Sequence, residues 1–146
     1  MKFSKDGKFI KAWGKRGAAA GEFDTPHALA FDSKGRLFVG DRENNRVQVF
    51  EPDGKYLTAD DTLANGKKLL DLTNDPGEGV PDGMKVDRLG NLYATGPGGV
   101  LVISPQGKRL GTIQLPEVPA NCAWGDADAR SLYITARTGL YRIKLK

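Results

Sequence analysis

One pattern recurs three times along this chain, and it limits the folds that the chain can form. Each unit begins at a proline with an alternating stretch, passes through a short turn into a strand that starts with leucine, and closes with a third apolar stretch. The first stretches are residues 26–32, 81–87 and 119–125, the second are 37–39, 92–94 and 132–134, and the third are 47–50, 100–103 and 140–143. Repeats of about 40–50 residues built only of short strands are typical of propellers and solenoids. Such a unit cannot bury both of its faces alone, so the number of units decides what the folded object is.

The composition is that of one ordinary globular domain. The chain has 146 residues, of which 39% are hydrophobic and 27% are charged, and a length of about 100–200 residues usually gives one domain. No run approaches the roughly 18 apolar residues of a membrane helix, and the N-terminus lacks the apolar core of a signal peptide. We therefore expect a cytoplasmic protein without a membrane partner. The single cysteine, Cys122, excludes an internal disulfide and is expected to be a buried, inert thiol.

The positive charge does not indicate a nucleic-acid partner. The formal net charge is +4, but the lysines are scattered, and many lie beside turn glycines, where they are solvated. Nucleic-acid binding would require them to cluster on one face. We therefore expect no nucleic-acid partner.

Alternation of apolar and small or polar residues marks the strands. Residues 32–35 and 87–90 read as tight turns that end in glycine and lead into the second strand of each unit. A helix start signal paired with a stop signal is absent from the sequence. The sequence therefore predicts an all-β fold, a β-propeller in which each unit forms one blade.

The fourth strand of each blade determines how the ring closes. In the first unit it follows a turn at residues 52–55 and lies at 55–58 or 67–70, and in the second unit it lies at 109–113. The third unit stops after its third strand, while residues 4–13 match a third-to-fourth turn and a fourth strand.

Three blades are too few for a closed ring, because propellers have about 4–8 blades. Two chains would supply six blades with two strand closures, and C2 dimers are the commonest closed assemblies. We therefore predict three four-stranded blades per chain and a six-bladed C2 homodimer formed by exchange of the N-terminal strand. The alternative is that the sequence is a piece of a longer protein.

The first 58 residues resemble NHL-repeat propellers. The motif consists of Trp13-Gly14, Gly17, Gly21, Phe23, Pro26, residues 28–32, Gly35, residues 37–39, Asp41 and residues 44–50. Within that group, Pro26-His27 and residues 41–44 are most similar to the peptidyl-hydroxyglycine amidating lyases. This resemblance implies that His27 is a zinc ligand and that Arg42 lines the active site.

Residues 59–146 resemble a second propeller family, the senescence-marker-protein/gluconolactonase group. The motifs are residues 79–87, 90–100, 119–123 and 131–136. The resemblance implies that Asp82, in Pro-Asp-Gly, binds a divalent cation, usually calcium, at the mouth of the central channel. The chain is thus predicted to be a single half-propeller domain over residues 1–146, NHL-like in 1–58 and gluconolactonase-like in 59–146.

The repeat itself also places these side chains together. His27 and Asp82 occupy the same position, directly after proline, and Asn121 lies one residue beyond that position in the third unit. Oxygen ligands such as Asp and Asn suit calcium or magnesium, whereas His with Asp suits zinc or another transition metal. Asp82, His27 and Asn121 are therefore the candidate metal ligands, with calcium favoured and zinc as the alternative.

Two arginines occupy equivalent loops between the second and third strands, Arg42 and Arg137. Either arginine can hold a carboxylate or an oxyanion, while a bound cation would polarise a lactone or ester carbonyl. These residues favour a divalent-metal-dependent lactonase or ester hydrolase that acts on a small lactone or ester. The alternatives are a non-catalytic NHL-type binding scaffold and an assembled but inactive half-propeller.

Each candidate residue also has an ordinary structural explanation. Asp82 could cap a turn, and His27 could line a channel without binding a metal. Arg42 could be an ion-paired loop residue, and Asn121 could bridge backbone groups at the start of a strand.

Overall fold

The described part of the chain consists of antiparallel β-sheet. A computed structural model of the chain describes residues 1–12, 14–50 and 66–146. Within these ranges there is no helix, and so none that could cross a bilayer. The prediction of an all-β fold is confirmed for these residues.

The described strands form four sheets. An N-terminal hairpin contains β1 (Lys2–Phe3) and β2 (Phe9–Lys11). The first sheet contains β3 (Pro26–Phe31), β4 (Leu37–Asp41), β5 (Arg46–Phe50) and β6 (Lys67–Asp71). The second sheet contains β7 (Met84–Val86), β8 (Leu92–Gly96), β9 (Gly99–Ile103) and β10 (Arg109–Ile113). The third sheet contains β11 (Pro119–Gly125), β12 (Ser131–Ala136) and β13 (Leu140–Lys144).

Each predicted unit forms one sheet whose strands are neighbours in chain order. Of the two segments proposed for the fourth strand of the first unit, residues 67–70 lie in β6, which pairs with β5. The predicted turn at 52–55 and the other segment, 55–58, lie outside the described residues. The third sheet has three described strands, and β2 pairs with β1 rather than with β13.

Two apolar cores lie between the stacked sheets. The first core joins the first and second sheets, where Phe38 of β4 and Leu101 of β9 are buried. The second core joins the second and third sheets, where Val100 packs with Cys122 and Leu132. Because both cores use one face of each neighbouring sheet, the inner strands β3, β7 and β11 are held beside one another, with β7 in contact with both of the others.

The polar residues of the NHL-like run stabilise the first sheet. Asp41 is fully buried, and its carboxylate accepts hydrogen bonds from Arg46 Nε at 2.8 Å and Asn44 Nδ2 at 2.9 Å. Arg46 also donates to the carbonyls of Ala19 at 3.0 Å and Glu22 at 2.9 Å. A buried ion pair is tolerated only when its remaining hydrogen bonds are satisfied, as they are here. The network holds the segment before β3 against the sheet that carries the site.

Candidate functional site

Two of the inner strands begin with the same irregularity. In β3 the register shifts between Pro26 and Ala28, and in β11 it shifts between Pro119 and Asn121. An extra residue of this kind is a β-bulge, which bends the strand and redirects side chains. In β3 the extra residue is His27, so the bulge sets its direction at the end of the strand.

The inner-strand ends of the three sheets border one open cavity of about 380 Å³. The residues that line it are His27, Ala28, Leu29, Asp82, Met84, Lys85, Ala120 and Asn121. The structure therefore brings together the three side chains predicted as metal ligands, one from each repeat unit.

Asp82 has two basic neighbours from the first sheet. His27 Nδ1 is in direct contact with Asp82 Oδ1 and lies 3.4 Å from the Asp82 carbonyl oxygen. Arg42 Nη1 lies 3.7 Å from the same Oδ1, and Arg42 Nε is 3.4 Å from Glu43. Asp82 Oδ1 is buried and accepts no hydrogen bond from the described residues. This oxygen therefore does not cap a turn within the part of the chain that the structure describes.

Thr95 of β8 positions the loop that carries Asp82. Its hydroxyl oxygen accepts hydrogen bonds from the backbone N–H of Asp82 at 3.1 Å and of Gly83 at 2.9 Å. The Thr95 N–H in turn donates to the Gly83 carbonyl at 2.9 Å. Sequence reasoning missed this residue, although a threonine recurs at the same place in β12. That residue, Thr135, donates from its hydroxyl to the Asn121 carbonyl at 3.4 Å.

Asn121 reaches the cavity because its neighbour is a glycine. A Cβ atom at Gly83 would lie 2.5 Å from the Asn121 Cα, so a larger residue would push β11 away from the start of β7. The Asn121 Oδ1 accepts the Cys122 N–H at 2.8 Å. A carbonyl oxygen has two lone pairs, so Oδ1 can still accept a proton donor or bind a cation.

The two predicted arginines lie in different surroundings. Arg42 is close to Asp82, whereas Arg137 pairs with Glu78 at 3.0 Å and does not line the cavity. Lys85 does line it, with Nζ donating to the Met84 carbonyl at 2.9 Å. Sequence reasoning missed Lys85, although a lysine inside an otherwise apolar inner stretch was a usable signal.

The donor atoms in the cavity are a nitrogen, a carboxylate oxygen and an amide oxygen. No cluster of three or more His, Cys, Asp or Glu residues exists among the described residues, so His27 and Asp82 would need Asn121 and water to complete a coordination shell. A shell of Asp82, Asn121 and water suits calcium or magnesium, which take oxygen ligands, whereas a shell that includes the His27 nitrogen suits zinc. Cys122 does not line the cavity, and burial raises the pKa of its thiol to about 11.

Comparison with protein families agrees with both parts of the sequence. The model described as SMP-30/Gluconolactonase/LRE-like region matches residues 56–138. The chain belongs to this family. The NHL-repeat model matches residues 23–50. The predicted resemblances to NHL repeats and to the gluconolactonase family are both confirmed.

Individual relatives of this SMP-30/gluconolactonase-family chain are longer than the chain itself. It is 33% identical over 128 residues to the gluconolactonase of Zymomonas mobilis. That alignment covers 83% of this chain and 35% of the Zymomonas protein. It is 34% identical over 83 residues to peptidyl-glycine alpha-amidating monooxygenase B of Xenopus laevis, covering 53% of this chain and 10% of that protein. The chain thus spans about a third of the length of the Zymomonas protein and about a tenth of the length of the Xenopus protein.

The fold is shared with solved structures. A gluconolactonase from Xanthomonas campestris superposes with a TM-score of 0.68 at 27% identity, covering 86% of this chain and 39% of that one. Together with the antiparallel sheets in chain order, this likeness agrees with a propeller-type fold. The number of blades in the assembled molecule stays a prediction.

Proposed function

We propose that this chain forms part of a divalent-metal-dependent lactonase or related ester hydrolase whose site is the cavity at the ends of β3, β7 and β11. The observation that carries the proposal is the meeting of His27, Asp82 and Asn121 in one open cavity. The similarity to a gluconolactonase over 83% of the chain supports the reaction class.

Calcium is the proposed cation, and zinc is the alternative. Asp82 and Asn121 offer oxygen atoms, which calcium prefers, and His27 offers a nitrogen, which favours zinc. His27 Nδ1 and Asp82 Oδ1 are in direct contact, so a cation that used both atoms as ligands would replace this contact. The remaining ligands would be water molecules from the open side of the cavity.

The reaction proposed is the opening of a lactone ring by water. The water oxygen forms a bond to the carbonyl carbon, the bond from that carbon to the ring oxygen breaks, and the ring oxygen takes up the proton that the water loses. A bound divalent cation supplies polarisation of the carbonyl and lowers the pKa of water.

The protein's own part is to hold the substrate. Arg42, whose Nη1 lies 3.7 Å from Asp82, would bind a carboxylate or a developing oxyanion. Lys85 adds a second positive charge on the cavity wall. Arg137 would take part only if it left Glu78, with which it pairs.

A second candidate function is a non-catalytic binding scaffold, because residues 23–50 match an NHL repeat. In that part of the chain, buried Arg46 and Gln48 bond to Asp41. Buried Asp32 bonds to Arg36, so these polar residues have structural roles. A scaffold role predicts neither lactone hydrolysis nor dependence on a cation.

The test is hydrolysis of an aldonolactone, followed by acid release, before and after removal of divalent cations with a chelator. We expect activity that is lost with the chelator and restored by calcium or zinc. Asp82→Asn should lower kcat/KM by at least about 100-fold, because loss of a hydrogen-bonding partner of a metal ligand already costs about 10–100-fold and Asp82 is a proposed ligand. The matched control is Asp71→Asn, which alters an exposed carboxylate paired with Lys68 on β6. Equal activity of the two variants, or activity unaffected by the chelator, would contradict the proposal.

A further inference from the structure

The turn of the N-terminal hairpin reproduces the third-to-fourth turn of the second sheet. In residues 4–8 and again in 104–108, the serine N–H donates to the carbonyl of the lysine four positions later at 2.8 Å. The glycine N–H donates to the serine carbonyl at 3.0 Å in the first turn and 2.9 Å in the second. Gly7 and Gly107 adopt φ values of 82° and 86°, a left-handed conformation that favours glycine. The two turns have the same backbone structure.

The strand pairing after these turns is also the same. Each hairpin has a first pair, then a register shift, then a second pair. The pairs are Phe3 with Phe9 and Lys2 with Lys11 in the N-terminal hairpin, and Ile103 with Arg109 and Val102 with Gly111 in the second sheet. β2 therefore has the geometry of a fourth strand, and β1 occupies the place of the end of a third strand.

β13 is a third strand whose outer edge is paired with no described strand. It pairs with β12 through Ile143 and Leu132, just as β9 pairs with β8 through Ile103 and Leu92. In the first and second sheets the corresponding edge carries β6 and β10. An unpaired strand edge offers N–H and C=O groups to another chain.

We propose that β2 of one copy of this chain adds to the edge of β13 in a second copy, and that two such exchanges join the copies. This is strand addition, in which main-chain hydrogen bonds supply the affinity. Aligning Ile143 with Ile103 places Phe9 opposite Ile143 and Lys11 opposite Arg142. The proposal goes beyond the catalytic proposal and does not depend on it.

The exchange replaces a short pairing with a longer one. β1 offers two residues to β2, whereas β13 offers five, Leu140–Lys144. β1 occupies the edge of β2 that β13 would use, so it must separate from β2 before the second copy can bind. The hairpin therefore competes with the dimer, in which all three residues of β2, Phe9–Lys11, can lie along β13.

Exposed apolar residues indicate which faces the second copy covers. Leu140 is 69% exposed, while Val47 and Val100, which hold the same position in the other two sheets, are fully buried against a following sheet. On the face of the first sheet that does not pack on the second sheet, Phe31, opposite Leu37, is 63% exposed. The third sheet of one copy would thus stack on the first sheet of the other. Repeated twice, this contact closes a ring with C2 symmetry.

The test is a disulfide formed between two different chains, Phe9→Cys in one and Ile143→Cys in the other. The natural Cys122 is buried and stays unreactive in both. After mixing and mild oxidation, we expect a product of twice the mass of one chain, formed at least about tenfold faster than in the control. Directly opposite residues on paired strands are close enough for such a bond.

The control replaces the second chain with Leu89→Cys, which is 81% exposed in a turn of the second sheet. Linking at the same rate in the control would show random collision and overturn the proposal. A second control is a single chain that carries both Phe9→Cys and Ile143→Cys. Formation of the disulfide within that chain at high dilution would also overturn the proposal. Native mass spectrometry of the unmodified chain provides a second test, because a purely monomeric chain also contradicts strand exchange. Neither readout involves lactone or cation, so a failure here is separate from a failure of the proposed activity.

Discussion

At the scale of single residues, Asp126 shows how one carboxylate fixes a hairpin. Its Oδ1 accepts a hydrogen bond from the Tyr133 hydroxyl at 2.7 Å. Its Oδ2 accepts from the Ser131 hydroxyl and from Arg142 Nη2, the latter at 2.5 Å. These donors favour the charged carboxylate and hold the pKa of Asp126 far below its usual value. Asp126 therefore ties β12 and β13 to the turn that precedes them.

This arrangement predicts a pH-dependent effect of Asp126→Asn. Because the pKa of Asp126 is lower in the folded chain than in the unfolded chain, the carboxylate stabilises the fold above the unfolded pKa of about 4, and that stability is lost as the pH falls through the folded pKa. The variant should unfold at a lower urea concentration than the parent at neutral pH, and the difference should shrink steadily below about pH 4. Glu78→Gln, on an exposed carboxylate, is the control and should follow the parent. A difference that is constant with pH would contradict the assignment.

The repeat in the sequence predicted which side chains would lie near one another. His27 and Asp82 hold the same repeat position and Asn121 lies next to it, and the structure places all three around one cavity. Arg137 could not be placed in the same way, because its pairing with Glu78 depends on the side-chain conformations of two distant segments. Thr95 was missed because threonine in a strand is ordinary, and its two backbone partners become visible only in the folded loop.

At the scale of strands, the loop before β7 depends on the middle strand of its own sheet. The Thr95 hydroxyl accepts two backbone N–H groups, and Thr95 itself is fully buried. Replacing it with valine preserves the shape and leaves both donors without that acceptor. The loop that carries Asp82 should then lose its fixed position.

We therefore expect Thr95→Val to lower the free energy of unfolding by about 1–3 kcal/mol, the cost of burying unsatisfied donors. The measurement is urea unfolding followed by tryptophan fluorescence. Thr135→Val is the matched control, because Thr135 has the same position in β12 but is exposed and donates one long bond of 3.4 Å. Its cost should be smaller. Equal losses in the two variants would show that the hydroxyl of Thr95 does not organise the loop.

Alternation in the sequence predicted most of the strands, but it did not predict all of their pairing partners. β6 was one of two segments with similar composition, and only its pairing with β5 distinguishes it. The N-terminal strand was predicted from its turn residues, and that turn is present. Its pairing with β1 was not foreseen, since a two-residue strand carries no alternation to detect.

At the scale of the whole molecule, the stacking of the sheets explains how the cavity at the ends of β3, β7 and β11 forms. The two cores bury one face of the first sheet, both faces of the second and one face of the third. This order sets β7 between β3 and β11, so residues far apart in sequence meet at one end. The repeat predicted this convergence, whereas the width of the cavity depends on close approaches such as that of Gly83 to Asn121.

The most direct test of the account is a calorimetric titration of calcium, and then zinc, into the parent chain and into Asp82→Asn. We predict one bound cation per copy in the parent, with binding lost in Asp82→Asn and retained in Asp71→Asn. Binding of either cation to Asp82→Asn with the affinity of the parent would contradict a metal site at His27, Asp82 and Asn121.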